Sequence, residues 1–164
     1  WREVRQTRGP AEGPKSGDAK APRHLSGLHR PNLDALRGLH RLFRAEGAYG
    51  ELARTCRLLA EVVYDDKEKV ALLREAASLF EGPLKDLEGA AAVNKRLCEL
   101  DATDKDAAAA LERLYEKLNR PQDLAAALEL RRTQEGTSPQ GREFTYRLAD
   151  LKRTQLGDLA GALQ

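Results

Sequence analysis

A five-residue pattern recurs four times along this chain. It reads Glu51-Leu52-Ala53-Arg54-Thr55, then Asp86-Leu87-Glu88-Gly89-Ala90, Asp123-Leu124-Ala125-Ala126-Ala127 and Asp158-Leu159-Ala160-Gly161-Ala162. The acidic residues are 35, 37 and 35 positions apart. A fixed period of about 20 to 50 residues is the signature of a repeat architecture, in which each unit cannot bury its apolar face alone and stacks on its neighbours. Such an array needs no central core and presents an extended surface. Holding other molecules is therefore expected, and chemistry in a pocket is not.

The flanks of the pattern read as helices. Asn32 can cap a helix marked by Leu36, Leu39, Leu42 and Phe43, with Gly47 and Gly50 as its stop. Leu52, Cys56, Leu59, Val62 and Val63 mark a second helix that ends near Asp65-Asp66. Val70, Leu73, Ala76, Ala77 and Phe80 mark a third, ended by Gly82-Pro83. Leu87, Ala90, Ala91, Val93, Leu97 and Leu100 mark a fourth. Thr103 with an acid at Asp106 reads as a variant capping box before a fifth helix carrying Ala107, Leu111, Leu114, Tyr115 and Leu118. Asn119 is a left-handed stop, and Pro121 opens a sixth helix with Leu124, Ala127, Leu128 and Leu130, ended by Gly136. Ser138-Pro139 opens a seventh with Phe144, Leu148, Ala149 and Leu151. Gly157 precedes an eighth that the chain end cuts off.

The units alternate in kind. Residues 33–92 superpose on 105–164 without gaps after a shift of 72 positions. Asp34/Asp106, Leu39/Leu111, Leu42/Leu114, Leu52/Leu124, Leu58/Leu130, Ala77/Ala149, Leu79/Leu151, Leu84/Leu156, Asp86/Asp158, Leu87/Leu159 and Ala90/Ala162 are then identical, and Phe43/Tyr115 stays aromatic. Most of these are apolar, as expected if the repeat preserves packing.

Composition agrees with a helical array. Aromatic residues make up 5% of the chain, too few for a sandwich or barrel. Leu, Ala, Glu, Arg and Lys, all helix-favouring, dominate. No apolar run approaches the roughly 18 residues that would span a membrane. Residues 1–31 carry seven basic and three acidic residues, a balance of +4, whereas the remainder has 21 basic and 23 acidic residues. A body of that balance lacks the concentrated basic face of a nucleic-acid binder. Gly9-Pro10, Gly13-Pro14, Ser16-Gly17 and Ala21-Pro22 break residues 1–31 into a stretch expected to be a disordered basic linker, in which His24 and His29 are solvated. Cys56 and Cys98 have no CxxC spacing and read as small buried helix residues, giving no metal signal. The absence of Met and the start at Trp1 point to a fragment of a longer protein, and the Ala, Arg, Gly and Leu richness to a bacterial source.

The stretch from Asp86 to Asp104 resembles the second helix and exit turn of a tetratricopeptide repeat. Ala90 stands at the family's small packing position, and Glu99-Leu100-Asp101 with Asp104 match its exit, with Ala102 where Pro is usual. Thr55, Ala127 and Ala162 occupy the same small position in the other units. The first-helix Trp and Gly of the family are missing, and Asn94 replaces an aromatic. The resemblance covers about 33–164 and is to divergent bacterial arrays. It implies an all-α fold, an α-α superhelical solenoid of helix-turn-helix hairpins with about three and a half repeats: 32–66, 67–102, 103–137 and a truncated 138–164.

In that family the first helices line a concave groove and the second helices form the outer face. The expected peptide-binding groove residues are therefore Arg37, His40, Arg41 and Arg44 on the first helix and Glu112, Arg113 and Glu116, beside Ala109, on the fifth. The family's carboxylate-clamp set cannot be assembled here. The expected function is a protein–protein interaction scaffold that holds a partner peptide or helix, with spacer repeats in a longer array as the alternative. No phosphate loop, HExxH or nucleophile elbow occurs, so no catalytic, cofactor or metal residues are expected. No nucleic-acid or membrane partner is expected, and the compartment is left unknown, with the cytoplasm favoured.

Overall fold

In the computed structural model the described residues are 32–158 and 161. They form seven α-helices and one π-helical turn, with no strand among them: α1 (Leu33–Glu46), α2 (Tyr49–Val62), α3 (Asp66–Glu81), α4 (Leu87–Leu100), α5 (Lys105–Lys117), α6 (Pro121–Glu135), α7 (Pro139–Leu151) and the π turn (Lys152–Leu156). The fold class is all-α. The expected linker at 1–31, with His24 and His29, lies outside the described residues, as does most of the expected eighth helix.

Side-chain caps set most of the helix starts. Asn32, Asp65, Asp86, Asp104 and Ser138 each accept from backbone N–H groups of the first turn that have no partner inside the helix. Left-handed residues set several of the ends. Gly47 closes α1 at φ 68° and Asn119 follows α5 at φ 53°. Pro121 and Pro139 occupy first-turn positions, where the missing N–H costs no bond.

Each helix packs on the ones before and after it in sequence. One apolar cluster threads all of these contacts, with Leu59, Leu114, Leu128, Val93 and Cys56 its largest fully buried side chains. Burying a side chain of the Leu or Val class contributes about 1.5–3 kcal/mol. The small positions Thr55, Ala90 and Ala127 are 4%, 0% and 3% exposed, so no larger side chain has room there.

Several local expectations are corrected. Gly50 does not stop α1 but sits in the first turn of α2, because Gly47 alone supplies the left-handed turn. The N-cap of α5 is Asp104, whose carboxylate accepts from Asp106 N and Ala107 N, and Thr103 instead donates to Asp101 in the turn before it. Leu39, Leu42 and Leu58 are 40%, 48% and 43% exposed. They are at helical spacing, but no described helix covers that side of α1, and Leu58 faces out of α2. Cys98 is only half-buried, whereas Cys56 is fully buried, and both are free thiols.

Candidate functional site

The helices at odd positions in the chain, α1, α3, α5 and α7, are tied to one another by side chains. Arg37 Nη2 on α1 donates to Glu68 on α3 at 3.0 Å. Seven residues further along, Arg44 donates to Glu75 Oε1 through Nη2 at 2.5 Å and Nε at 3.1 Å, and His40 Nε2 lies 3.0 Å from Glu75 Oε2. From α3 to α5, Arg74 bonds Asp104 at 2.8 Å and Arg113 reaches back to Glu81 at 2.6 Å. From α5 to α7, Arg147 bonds Glu116 at 2.8 Å and also Glu112. The even helices share fewer such links: Arg120, at the start of α6, reaches Glu88 on α4 at 2.7 Å.

Six of the seven expected groove residues are thus engaged in helix-to-helix pairs. Arg37, His40 and Arg44 fasten α1 to α3, Arg113 fastens α5 to α3, and Glu112 and Glu116 fasten α5 to α7. Among these seven, Arg41 alone is outside such pairs within the described residues, and it is exposed. Ala109 is half-buried. Exposed ion pairs contribute about 0–1 kcal/mol each, so most of the rungs orient helices more than they stabilise them.

Glu112 is the exception. It is 7% exposed and holds two guanidiniums, Arg131 of α6 at 2.5 Å and Arg147 of α7. Arg131 also stacks over the Phe144 ring, 4.3 Å from its centroid. Charge and hydrogen bonds converge in a place where neither arginine is fully hydrated. A cleft of 340 Å³ opens beside this node, between α5, α6 and the end of α7. Leu124, Leu128 and Leu151 contribute apolar lining, and Arg120, Glu116, Arg147 and Asp150 contribute charge.

A second cluster lies between α1, α2 and α3. The ligand-type atoms of His40, Cys56 and Glu75 all fall within 4.8 Å of one another. Burial, then the negative Glu75 carboxylate, push the Cys56 thiol up to about 12, so it keeps its proton at neutral pH. Burial pushes the Glu75 carboxyl up, but hydrogen bonds from Arg44 and His40 outweigh it and hold the group below its ordinary value. The three residues sit on three helices with no local spacing, so no sequence motif marks the cluster. The repeat itself was the available signal: His40 and Glu75 are 35 residues apart, one unit of the period.

No family model matches the chain, and no curated protein matches it. Among the described residues no helix is long and apolar enough to cross a membrane.

Proposed function

We propose that the chain is a protein–protein interaction scaffold: a superhelical solenoid of tetratricopeptide-like hairpins that holds a partner peptide or helix along its odd helices. The observation that carries this reading is the series of pairs from α1 to α3, α3 to α5 and α5 to α7. Pairs of that kind keep every first helix beside the next and give them a shared face. A shared face is what a bound helix or extended segment requires.

On that face Arg41 is open to a partner, and the cleft beside Glu116 and Arg147 offers an apolar floor with a charged rim. Acidic and basic side chains alternate along it. This favours a mixed-charge protein segment over a nucleic-acid backbone, which would need a uniformly basic strip. The chain contributes binding and not chemistry in this reading.

Photo-crosslinking residues placed one at a time test the proposal. Crosslinks to a partner are expected from Arg41, Ser78 and Lys117 on the odd helices and absent from Arg57 and Arg96 on the even ones. Equal or stronger crosslinking from the even helices would overturn it.

A second reading has its own support. Leu39 and Leu42 of α1 are 40% and 48% exposed, whereas Leu111 and Leu114, 72 positions later, are 5% and 1% exposed. The face that α5 buries is open on α1. In this reading a further helical hairpin covers α1 and the described helices are spacer units in a longer array. Leu39→Glu with Leu42→Glu separates the two. Loss of partner binding with unchanged behaviour of a longer chain supports a docking face, and destabilisation of the longer chain supports the spacer role.

A further inference from the structure

His40, Cys56 and Glu75 come from three successive helices, α1, α2 and α3, and bring an imidazole, a fully buried thiol and a carboxylate to one place. We infer that the three side chains form a binding site for a divalent transition-metal ion of the zinc type, held by the His40 imidazole, the Cys56 sulfur and the Glu75 carboxylate. Nitrogen, sulfur and carboxylate oxygen are the donors that zinc accepts, and a thiolate donor argues against magnesium or calcium.

The geometry suits such an ion. The three donor atoms lie within 4.8 Å of one another, and His40 Nε2 is 3.0 Å from Glu75 Oε2. Tetrahedral zinc with ordinary bond lengths sets its ligands about 3.3–3.6 Å apart, so small side-chain adjustments close the site. Cys56 is 0% exposed, and the His40 and Glu75 side chains are 15% and 22% exposed. The sulfur is therefore shielded while one side stays open for entry and for a water in the fourth position.

Charge and outer contacts agree. A thiolate and a carboxylate supply two negative charges to a divalent ion. Arg44 occupies Glu75 Oε1 and leaves Oε2 turned to the site, the outer-shell support that metal-bound carboxylates use. On binding, the Cys56 thiol proton and any proton on His40 Nε2 leave to solvent, and no electron is transferred. The ion would fasten the first hairpin, α1–α2, to α3. This site shares His40 and Glu75 with the pairs that tie α1 to α3, and its test does not depend on whether the odd helices hold a partner.

Cobalt(II), titrated into the reduced, metal-free full chain, is the probe, with zinc as competitor. Expected are one equivalent bound, intense tetrahedral visible bands, a thiolate-to-cobalt band in the near ultraviolet, and displacement of all of these by zinc. Cys56→Ser should abolish the near-ultraviolet band, His40→Gln should weaken binding through the loss of one ligand, and Cys98→Ser should change neither. Zinc should raise the thermal midpoint of the unmutated chain, and this second readout holds if a variant fails to fold by circular dichroism. The absence of a thiolate band and of a zinc-dependent midpoint shift in the folded, unmutated chain would overturn the inference. So would retention of the band in Cys56→Ser, or its loss in Cys98→Ser.

Discussion

His40 Nε2 stands 3.0 Å from Glu75 Oε2, and the two residues are separated by 35 positions in the chain. Glu51 and Asp86, which open α2 and α4, are separated by the same number. Arg147 and Glu112 repeat the relationship between α7 and α5 at a separation of 35, and Arg37–Glu68, Arg44–Glu75 and Arg147–Glu116 do so at 31. The sequence period of 35 thus reappears in two of these pairs, and the other three fall four residues, about one helical turn, short of it.

The Glu112 node is the rung that carries stability. Replacing Arg131 with Met removes one of its two guanidiniums and the stack on Phe144, and leaves a buried carboxylate with a single cation. A charged hydrogen bond of this sort contributes about 1.5–3 kcal/mol, and a loss in that range is expected for Arg131→Met. Arg37→Met, whose pair with Glu68 is largely exposed, should cost under about 1 kcal/mol. Urea unfolding of the two variants checks the order. Equal losses would remove the distinction between node and rung.

Two glycines should respond in opposite directions to alanine. A Cβ at Gly38, on the exposed side of α1, would meet nothing within 4 Å. Gly38→Ala should therefore stabilise by about 0.5–1 kcal/mol through helix propensity and chain entropy. A Cβ at Gly89 would lie 2.6 Å from Asp86 Oδ2 and 2.7 Å from Phe80 Cδ1. Both the N-cap of α4 and a core ring would have to move, so Gly89→Ala should lower the melting temperature despite its better propensity. A rise for both variants would contradict the packing described at Gly89.

Ala90 is 0% exposed and Ala127 is 3% exposed. Leu at either position inserts three carbons where helices already touch, and overpacking of that kind costs about 1–3 kcal/mol. Thermal unfolding of Ala90→Leu and Ala127→Leu measures it, and unchanged midpoints would mean that the hairpins do not meet at these residues.

Asp104 gives the fold a dependence on acid. Burial pushes its carboxyl up, but the hydrogen bond from Arg74 and those from the Ala107 and Asp106 N–H groups outweigh it, so the group sits below its ordinary 3.8. A carboxyl lowered in the folded state binds protons more readily when unfolded. Its stabilisation is complete above pH about 3.8 and is lost as pH falls through the lower folded value. Asp104→Asn keeps an oxygen for the cap but removes the charge. The melting-temperature difference between the original chain and Asp104→Asn should be constant near neutral pH and shrink below pH about 3.8. A difference that persists undiminished in acid would contradict the assignment.

Much of the helix plan was readable because its signals are local. Asn32, Pro121, Ser138-Pro139, Gly136 and Asn119 each act within a turn of their own position, and the structure places them at helix ends. What failed depended on surroundings. Leu39 and Leu42 carry the same pattern as Leu111 and Leu114, yet only the second pair has helices on both sides, and spacing within one helix cannot report that. Thr103 and Asp104 compete for one cap, and the turn made by Asp101 decides it. Arg37, Arg44, Glu112 and Glu116 were readable as polar positions on first helices. That they pair with the next first helix needed the repeat to be applied to charges as well as to apolar residues. Cys56, His40 and Glu75 were invisible for the same reason.

In the proposed solenoid each hairpin depends only on its neighbours, and shortening the chain by one unit probes that dependence. Removal of residues 138–164 takes away α7 and its bonds to Glu112 and Glu116 but leaves α1 to α6 with their sequential contacts. Denaturant unfolding followed by circular dichroism should show the shortened chain still helical and cooperative, with a lower midpoint and a smaller slope, as nearest-neighbour stacking requires. Loss of helix throughout α1 to α6 would mean that a single core spans the whole chain, and would contradict the account.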